Sequence, residues 1–422
     1  MLKKYKQIAI HILLFAITLA TTTFAGADWK GLQVDTFWDY VASGLSFSLT
    51  FLGILTIHEF GHYYFAKKYK LDVSLPYYIP FYLPGSPSIG TFGAFIRMKG
   101  QIQSRTSIFD IGIAGPLAGF VAALGLLIYA FATLPEKEYI YTIHPDYEQF
   151  GANYESHVYT YDYLKAYSDT HIDQKFTADS IHYLEHKNTD ADLVKPTKTY
   201  ETEFSVLAVG DNLLIGIFKK LFAYQGDKIP NKYEFFHYPF LFAAYLALFF
   251  TALNLIPVGQ LDGGHVIYGL FGLSMHKKIA STFFTAFVCL AGIGIFRSNP
   301  LDINFFDSNA YEKIQFVLVY AGFLYLVFSR MYSNYMNTIV AALSVFTFQL
   351  VVEFSFPTII GYPGWLLYTF LIGRFLGVHH PPSLDERPLD TKRKVLGWIA
   401  LAIFILCFTP EVLTFELINS GQ

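Results

Sequence analysis

The chain has 422 residues, of which 53% are hydrophobic and only 15% charged, and its mean hydropathy is +0.37. That balance argues against an ordinary soluble globular protein and describes a multi-spanning membrane protein. A net charge of -3 gives no reason to expect nucleic acid, and two cysteines, Cys289 and Cys407, each inside an apolar run, suggest neither a disulfide framework nor a cysteine zinc site.

In chain order, residues 1–27 have a basic start, an apolar middle and Ala25-Gly26-Ala27 at the end. This pattern fits either a cleavable secretory signal or a retained first span. Apolar windows near the length of about 20 residues that a helix needs to cross the hydrocarbon core follow at 40–65, 108–134, 239–257, 279–296, 316–329, 336–354, 358–376 and 395–409. They predict an all-α polytopic membrane protein with about eight or nine transmembrane helices. Lys67, Lys68, Lys70, Arg97, Lys99 and Arg105 lie in one inter-span loop, Lys277 and Lys278 in a second, Arg330 in a third, and Arg387, Lys392, Arg393 and Lys394 in a fourth. Alternating through the spans puts all four loops on one side, which should be the cytoplasm. The polar stretch 135–237 then becomes an extracytoplasmic insert, whose His144, His157, His171, His182 and His186 are expected to be solvated rather than to form a second metal site. Near its end Leu213, Leu214, Ile217, Phe218, Leu221 and Phe222 share a helical face, with Asp211 as a possible N-cap.

Ionisable groups inside a span are costly, about 2.5–3.5 kcal/mol each at the centre on insertion scales. The stretch LTIHEFGHYYFAKK, 55–68, nevertheless carries His58, Glu59 and His62 within an apolar run. Residues four apart share a helix face, so the two imidazoles can address one metal with Glu59 beside them. Such an arrangement serves hydrolysis. Catalytic zinc sites commonly take three protein ligands, and a second interrupted span, FFTALNLIPVGQLDGGHVIYG (249–269), offers Asp262 at the same depth. Pro257, Gly263 and Gly264 are expected to unwind that helix locally, a distortion tolerated where backbone lines a polar cavity. Asn254 lies just before the break, able to hydrogen-bond a substrate backbone. Between the two spans, Phe92-Gly93-Ala94-Phe95-Ile96-Arg97 alternates and reads as a short membrane-associated strand or re-entrant hairpin. Its open edge either receives an extended substrate or belongs to a plain connecting hairpin. His379 and His380, followed by Pro381 and Pro382, read as a stiff loop before a metal site.

HEFGH inside a span, followed much later by NLIPVGQLDG, resembles the site-2 protease family of intramembrane zinc metalloproteases. GIAGPLAGF (112–120) is similar to that family's Gly-Pro-x-x-Gly helix. The resemblance covers roughly 40–134 and 240–272. It implies Zn²⁺ as cofactor, with His58, His62 and Asp262 as metal ligands, Glu59 as the catalytic acid/base, and Asn254 and the strand around Gly93 as substrate-binding. The implied organisation is 1–27 as signal or first span, 40–134 and 238–273 as catalytic core, 135–237 as insert, and 274–422 as additional helices. The implied activity is hydrolysis of membrane-anchored protein substrates within the lipid bilayer of the inner or plasma membrane, with the active site toward the cytoplasm. The insert shows no peptide-binding module of the kind several family members carry, and the sequence leaves oligomeric state open. Two rivals remain: a membrane zincin with a downstream glutamate ligand, which the Asn-Pro-Leu-Asp-Gly pattern opposes, and a non-catalytic zinc-binding transporter or scaffold, for which Glu353 is the main extra intramembrane carboxylate.

Overall fold

An extended Thr36 separates the first two helices, α1 (Leu2–Lys30) and α2 (Phe37–Lys68), and its side chain accepts the Asp39 backbone N–H as the N-cap of α2. Asp39 in the first turn of α2 and Lys67 and Lys68 in the last complement the helix dipole. The structure, a computed structural model, describes residues 2–99, 104–186, 197–198, 200, 203–297, 304–359 and 361–419. Helices α1 and α2 form a tight antiparallel pair. A Cβ on Gly44 would lie 1.9 Å from the Thr23 carbonyl oxygen, and the Thr22 and Ser48 hydroxyls bond across the seam at 2.5 Å.

Four short strands follow: β1 (Asp72–Val73), β2 (Tyr77–Pro80), β3 (Thr91–Phe95) and β4 (Met98–Lys99). β2 pairs antiparallel with β3, Tyr77 opposite Phe95, and β1 pairs with β4. The hairpin lies along the length of α1. His11 Nδ1 bonds the Pro76 carbonyl at 3.0 Å, the Thr21 hydroxyl donates to the Gly90 carbonyl at 2.7 Å, and the Trp29 indole donates to the Ser88 carbonyl at 2.7 Å. α1 thus satisfies carbonyls that an apolar surrounding would leave bare.

Helix α3 (Arg105–Ala132) starts from a Ser104/Ser107 capping box. The insert then forms α4 (Glu155–Val158), the long α5 (Tyr161–His186), β5 (Phe204–Val209) and α6 (Leu213–Leu221). Beyond it run α7 (Pro239–Asn254), α8 (Asp262–Ala291, kinked at Gly272), α9 (Ala310–Phe328), α10 (Tyr335–Ser355), α11 (Gly364–Leu371, continued by a π turn to Leu376), α12 (Thr391–Cys407) and β6 (Leu413–Ile418). Tyr129 meets Phe240, Gly112 faces His265, Phe109 faces Gly269, and Arg105 Nε donates to the Gly269 carbonyl at 2.9 Å. α7 and the first part of α8 therefore run antiparallel to α3 as one rod, interrupted at 255–261.

β5 and β6 pair antiparallel over six positions, from Phe204 opposite Ile418 to Val209 opposite Leu413. This brings the insert and the chain after α12 to one end of the bundle. The other end carries Lys67, Lys68, Arg105, Lys392 and Arg393, where Arg393 grips Asp110 through two bonds of 2.7 and 2.8 Å. Between the ends the core is aromatic, with Phe47, Phe51, Phe109, Phe242 and Tyr245 buried. Among the described residues five helices are long and apolar enough to cross a membrane, within Tyr5–Lys30, Phe37–Lys68, Arg105–Ala132, Ala310–Phe328 and Tyr335–Ser355, while Pro239–Asn254 and Gly364–Leu376 are shorter apolar helices. The chain is a mostly helical, multi-pass membrane protein. Cys289 and Cys407 are free thiols.

The insert departs from expectation in two places. Asn212, not Asp211, caps α6, because its side-chain oxygen accepts the Ile215 N–H at 2.9 Å while Asp211 pairs with Lys219. α6 buries Leu214, Ile215 and Phe218 beneath Phe131 and leaves Leu213, Ile217 and Leu221 exposed, so the predicted face is split. His157 and His171 are exposed as expected, and the side chains of His182 and His186 lie outside the described residues. His144 is not solvated: its Nε2 sits 3.2 Å from Nε2 of His237. Burial lowers the His144 imidazole below its ordinary range, lowers His237 to about 4, and pushes the nearby Glu234 carboxyl up to about 8.

Candidate metal centre

His58 and His62 stand one helical turn apart on α2, and their rings converge on the break between α7 and α8. The two Nε2 atoms are 3.1 Å apart, and Asp262 Oδ2 lies 3.3 Å from the first and 3.2 Å from the second. Zinc bonds of about 2.05 Å in tetrahedral geometry require donors about 3.3 Å apart. The three atoms already satisfy that spacing. His62 Nδ1 bonds the Ile111 carbonyl of α3 at 2.7 Å, which leaves Nε2 with its lone pair turned to the site.

Helix α3 supplies the room. A Cβ on Gly115 would lie 2.1 Å from His62 Nε2, and one on Gly119 would lie 3.2 Å from His58 Cβ. The GPLAG run therefore lets two imidazoles stand between α2 and α3, where larger residues would displace them. Pro116, inside the same helix, has no N–H to offer the Gly112 carbonyl, and Gly112 lines the site cavity. On the opposite wall the turn at 255–261 folds tightly onto the start of α8. A Cβ on Gly263 would fall 2.0 Å from the Leu255 carbonyl oxygen, and one on Gly264 2.2 Å from that of Gly259. Those glycines let Asp262 begin α8 at the depth of the histidines.

A cavity of about 210 Å³ opens onto this grouping, lined by Glu59 and Asn254 together with Ala94, Phe95 and Ile96 at the end of β3 and Gln260 and His265 around Asp262. Glu59 is 5% exposed, and its carboxylate lies beside the Ile96 backbone. Asn254 Nδ2 lies 3.4 Å from His58 Nε2. Gly93 is brought near but not in: it is a buried residue of β3 at φ +106, and the next three residues line the cavity instead. His265 bonds through Nδ1 to His380 Nε2 at 3.0 Å, and the Gly259 N–H donates to the Val378 carbonyl at 2.9 Å. The loop carrying His379 and His380 thus braces the Asp262 turn. Its distant position in the chain offered no motif to reveal that role.

Two imidazoles and a carboxylate that converge beside a second carboxylate, deep in a bundle of apolar helices, define an integral-membrane metal-centre protein. Residues 46–296, more than half of the chain, match the model of Peptidase family M50, and the chain belongs to that family. It is the family that the HEFGH and NLIPVGQLDG motifs resemble. Among its relatives, "Probable zinc metalloprotease EGY1, chloroplastic" of Arabidopsis thaliana is 28% identical over 240 residues, 57% of this chain and 32% of that protein. The Oryza sativa subsp. japonica protein of the same name is 26% identical over 265 residues, covering 63% and 34%. "Probable zinc metalloprotease EGY2, chloroplastic" of Arabidopsis thaliana is 23% identical over 261 residues, covering 62% and 34%. The matched part spans about a third of the length of these relatives. No solved structure matches.

Proposed function

We propose that this chain is a zinc metalloendopeptidase of the site-2 protease type, cutting peptide bonds in or near the transmembrane helices of membrane-anchored proteins. The observation that carries this reading is the convergence of His58, His62 and Asp262 donor atoms within 3.3 Å of one another, with Glu59 on the wall of the same cavity. His58, His62 and Asp262 would hold the ion. When bound, zinc supplies Lewis acidity, which polarises a peptide carbonyl and lets water ionise near about pH 7. Glu59 accepts the proton of the attacking water and returns it to the amine nitrogen as the C–N bond breaks. Asn254 orients the substrate backbone. Among the described residues β3 pairs only with β2, and Ala94 to Ile96 line the cavity, which supports an extended substrate segment joining the hairpin's open side.

In this reading the broken rod of α7 and α8, the kink at Gly272 and the short α11 bring the crossings to nine. The shared end of β5 and β6 supports the insert lying on the side opposite the basic loops, so the active site opens toward the cytoplasm of an inner or plasma membrane. Residues 1–27 are read as a retained first span, supported by the bonds from α1 to α2 and to the hairpin. The biological role follows as regulated intramembrane proteolysis. The transporter or scaffold alternative is not favoured, because the chain belongs to Peptidase family M50 and its relatives are named zinc metalloproteases. Purified protein tests the proposal. Glu59→Gln should retain zinc at the His58 site and lose cleavage of a membrane-anchored reporter in proteoliposomes, whereas Asp262→Ala should lose both. An Asp262→Ala protein that bound zinc and cut as well as wild type would overturn the ligand assignment.

A further inference from the structure

At the end of the bundle that carries the insert, His144 Nε2 lies 3.2 Å from His237 Nε2, and Glu234 Oε2 lies 3.6 Å from that same nitrogen. All three donor atoms fall within 4.8 Å of one another. We propose that His144, Glu234 and His237 form a second metal site, taking a divalent ion of the zinc class, that clips the insert to the helix bundle.

The orientation of each group points at a shared cation. His237 Nδ1 bonds the Lys30 carbonyl at the end of α1 at 2.9 Å, so its Nε2 presents a lone pair. Facing that lone pair are a second imidazole nitrogen and a carboxylate oxygen. A hydrogen bond between the two rings satisfies at most those two atoms, because the His237 nitrogen has no proton to pass on. Glu234 Oε2 is then left with no partner, in a side chain only 2% exposed. At 3.6 Å from the His237 nitrogen this oxygen is too far for a hydrogen bond in either protonation state; a buried polar atom without a partner is costly, and one cation between the three atoms removes the deficit. The spacing of 3.2 and 3.6 Å brackets the roughly 3.3 Å that tetrahedral zinc donors require, and two imidazoles with one carboxylate suit zinc better than calcium or magnesium.

The surroundings hold the donors in place. Tyr159 donates its hydroxyl to the other Glu234 oxygen, Oε1. Tyr147 stacks on the His144 ring at 4.6 Å, and the Tyr139 hydroxyl donates to the His237 carbonyl at 3.0 Å. Such outer partners fix ligand orientation in metal sites. The three ligands come from the first turns of the insert and from the segment that leads into α7, and the Lys30 carbonyl adds α1. An ion here closes a loop of 90 positions, 144 to 234, onto the bundle, the kind of long closure in which a metal clip has most to gain. The site is separate from the centre at His58 and does not rest on the proteolytic reading.

The test counts ions in the full chain, purified in detergent and equilibrated with buffered Zn²⁺, by mass spectrometry. Wild type should hold two per chain, and His144→Gln and His237→Gln one each. A His58→Ala, Asp262→Ala double variant should also retain one, give d–d absorption bands of tetrahedral cobalt on titration with Co²⁺, and melt several degrees higher with Zn²⁺ than without. The double variant leaves the outer site untouched, so the question is answered even if the histidine variants fail to fold. A folded double variant that binds no zinc, or a wild-type ion that survives both histidine substitutions with none lost, would show that the three side chains form only a hydrogen-bonded cluster. A fall from two ions to one in the double variant tests the centre at His58, whereas a fall from two to one in His144→Gln or His237→Gln tests the second site, so the two failures are distinguishable.

Discussion

Substituting Gly115 by alanine adds a single methyl group at the point where α3 packs most closely on the His62 ring. That carbon would stand 2.1 Å from His62 Nε2 and 2.5 Å from two further ring atoms. Ordinary contact begins at about 3.5 Å, so helix or ring must yield by about 1.4 Å. The ring is not free to swing, because its Nδ1 is held by the Ile111 carbonyl, a residue of α3 itself. Either that bond breaks or α3 shifts away from α2, and each outcome spreads the three donors beyond the spacing of one ion. A displacement near 1 Å at reacting groups costs about a hundredfold in rate, and Gly115→Ala should lose at least that much cleavage together with zinc from the inner site. Two neighbouring glycines grade the effect. Gly119→Ala places its carbon 3.2 Å from His58 Cβ and should cost several-fold, while Gly125→Ala meets nothing within 4 Å and should leave cleavage unchanged. Cleavage of a reporter in proteoliposomes and zinc content by mass spectrometry provide the readout. A Gly115→Ala protein with full zinc and activity within threefold of wild type would refute the packing argument.

Glu59→Gln should lower cleavage by about 10²–10⁴-fold, the span typical of general acid–base groups, with no fall in zinc content. Asn254→Ala should retain zinc and raise KM more than it lowers kcat if the amide holds substrate; an unchanged KM in initial-rate kinetics would remove it from that role. Asp110→Asn removes the negative charge that Arg393 meets and one of the two acceptor oxygens shared by Arg393 and Tyr69, and should destabilise the bundle by about 1–3 kcal/mol, read as a lower melting temperature in detergent. Intact mass of the protein from membranes should include residues 1–27, since α1 carries bonds to α2 and the hairpin; a mass beginning after Ala27 would show that the segment is removed.

The inner centre was legible in the sequence because its chemistry is written at fixed spacing: two histidines at i and i+4 in an apolar run, and an aspartate among helix breakers. The role of GPLAG was visible only as a small-residue helix; that Gly115 and Gly119 are spaces for particular rings needs the crossing of α2 and α3. Gly93 lies one residue from the cavity, whose wall takes in the three residues that follow, Ala94, Phe95 and Ile96. His265 and His380 meet across 115 positions, a pairing set by the loop after α11 and by no local pattern. The cluster at His144, Glu234 and His237 was illegible for the same reason, and composition misread His144 as solvated because polar inserts usually leave their histidines so. At α6 the periodicity was right in kind but the cap fell one residue later, which rotates the buried face.

The last six paired residues of the chain complete a two-stranded sheet whose other half was made some two hundred positions earlier. Until α12 has been inserted and 413–418 has emerged, β5 presents an unpaired edge to its surroundings. Completion of the insert's sheet is thereby coupled to arrival of β6, and translation that stops before Leu413 leaves a protein whose centre at His58 can be assembled while β5 stays open to stray pairing and quality control.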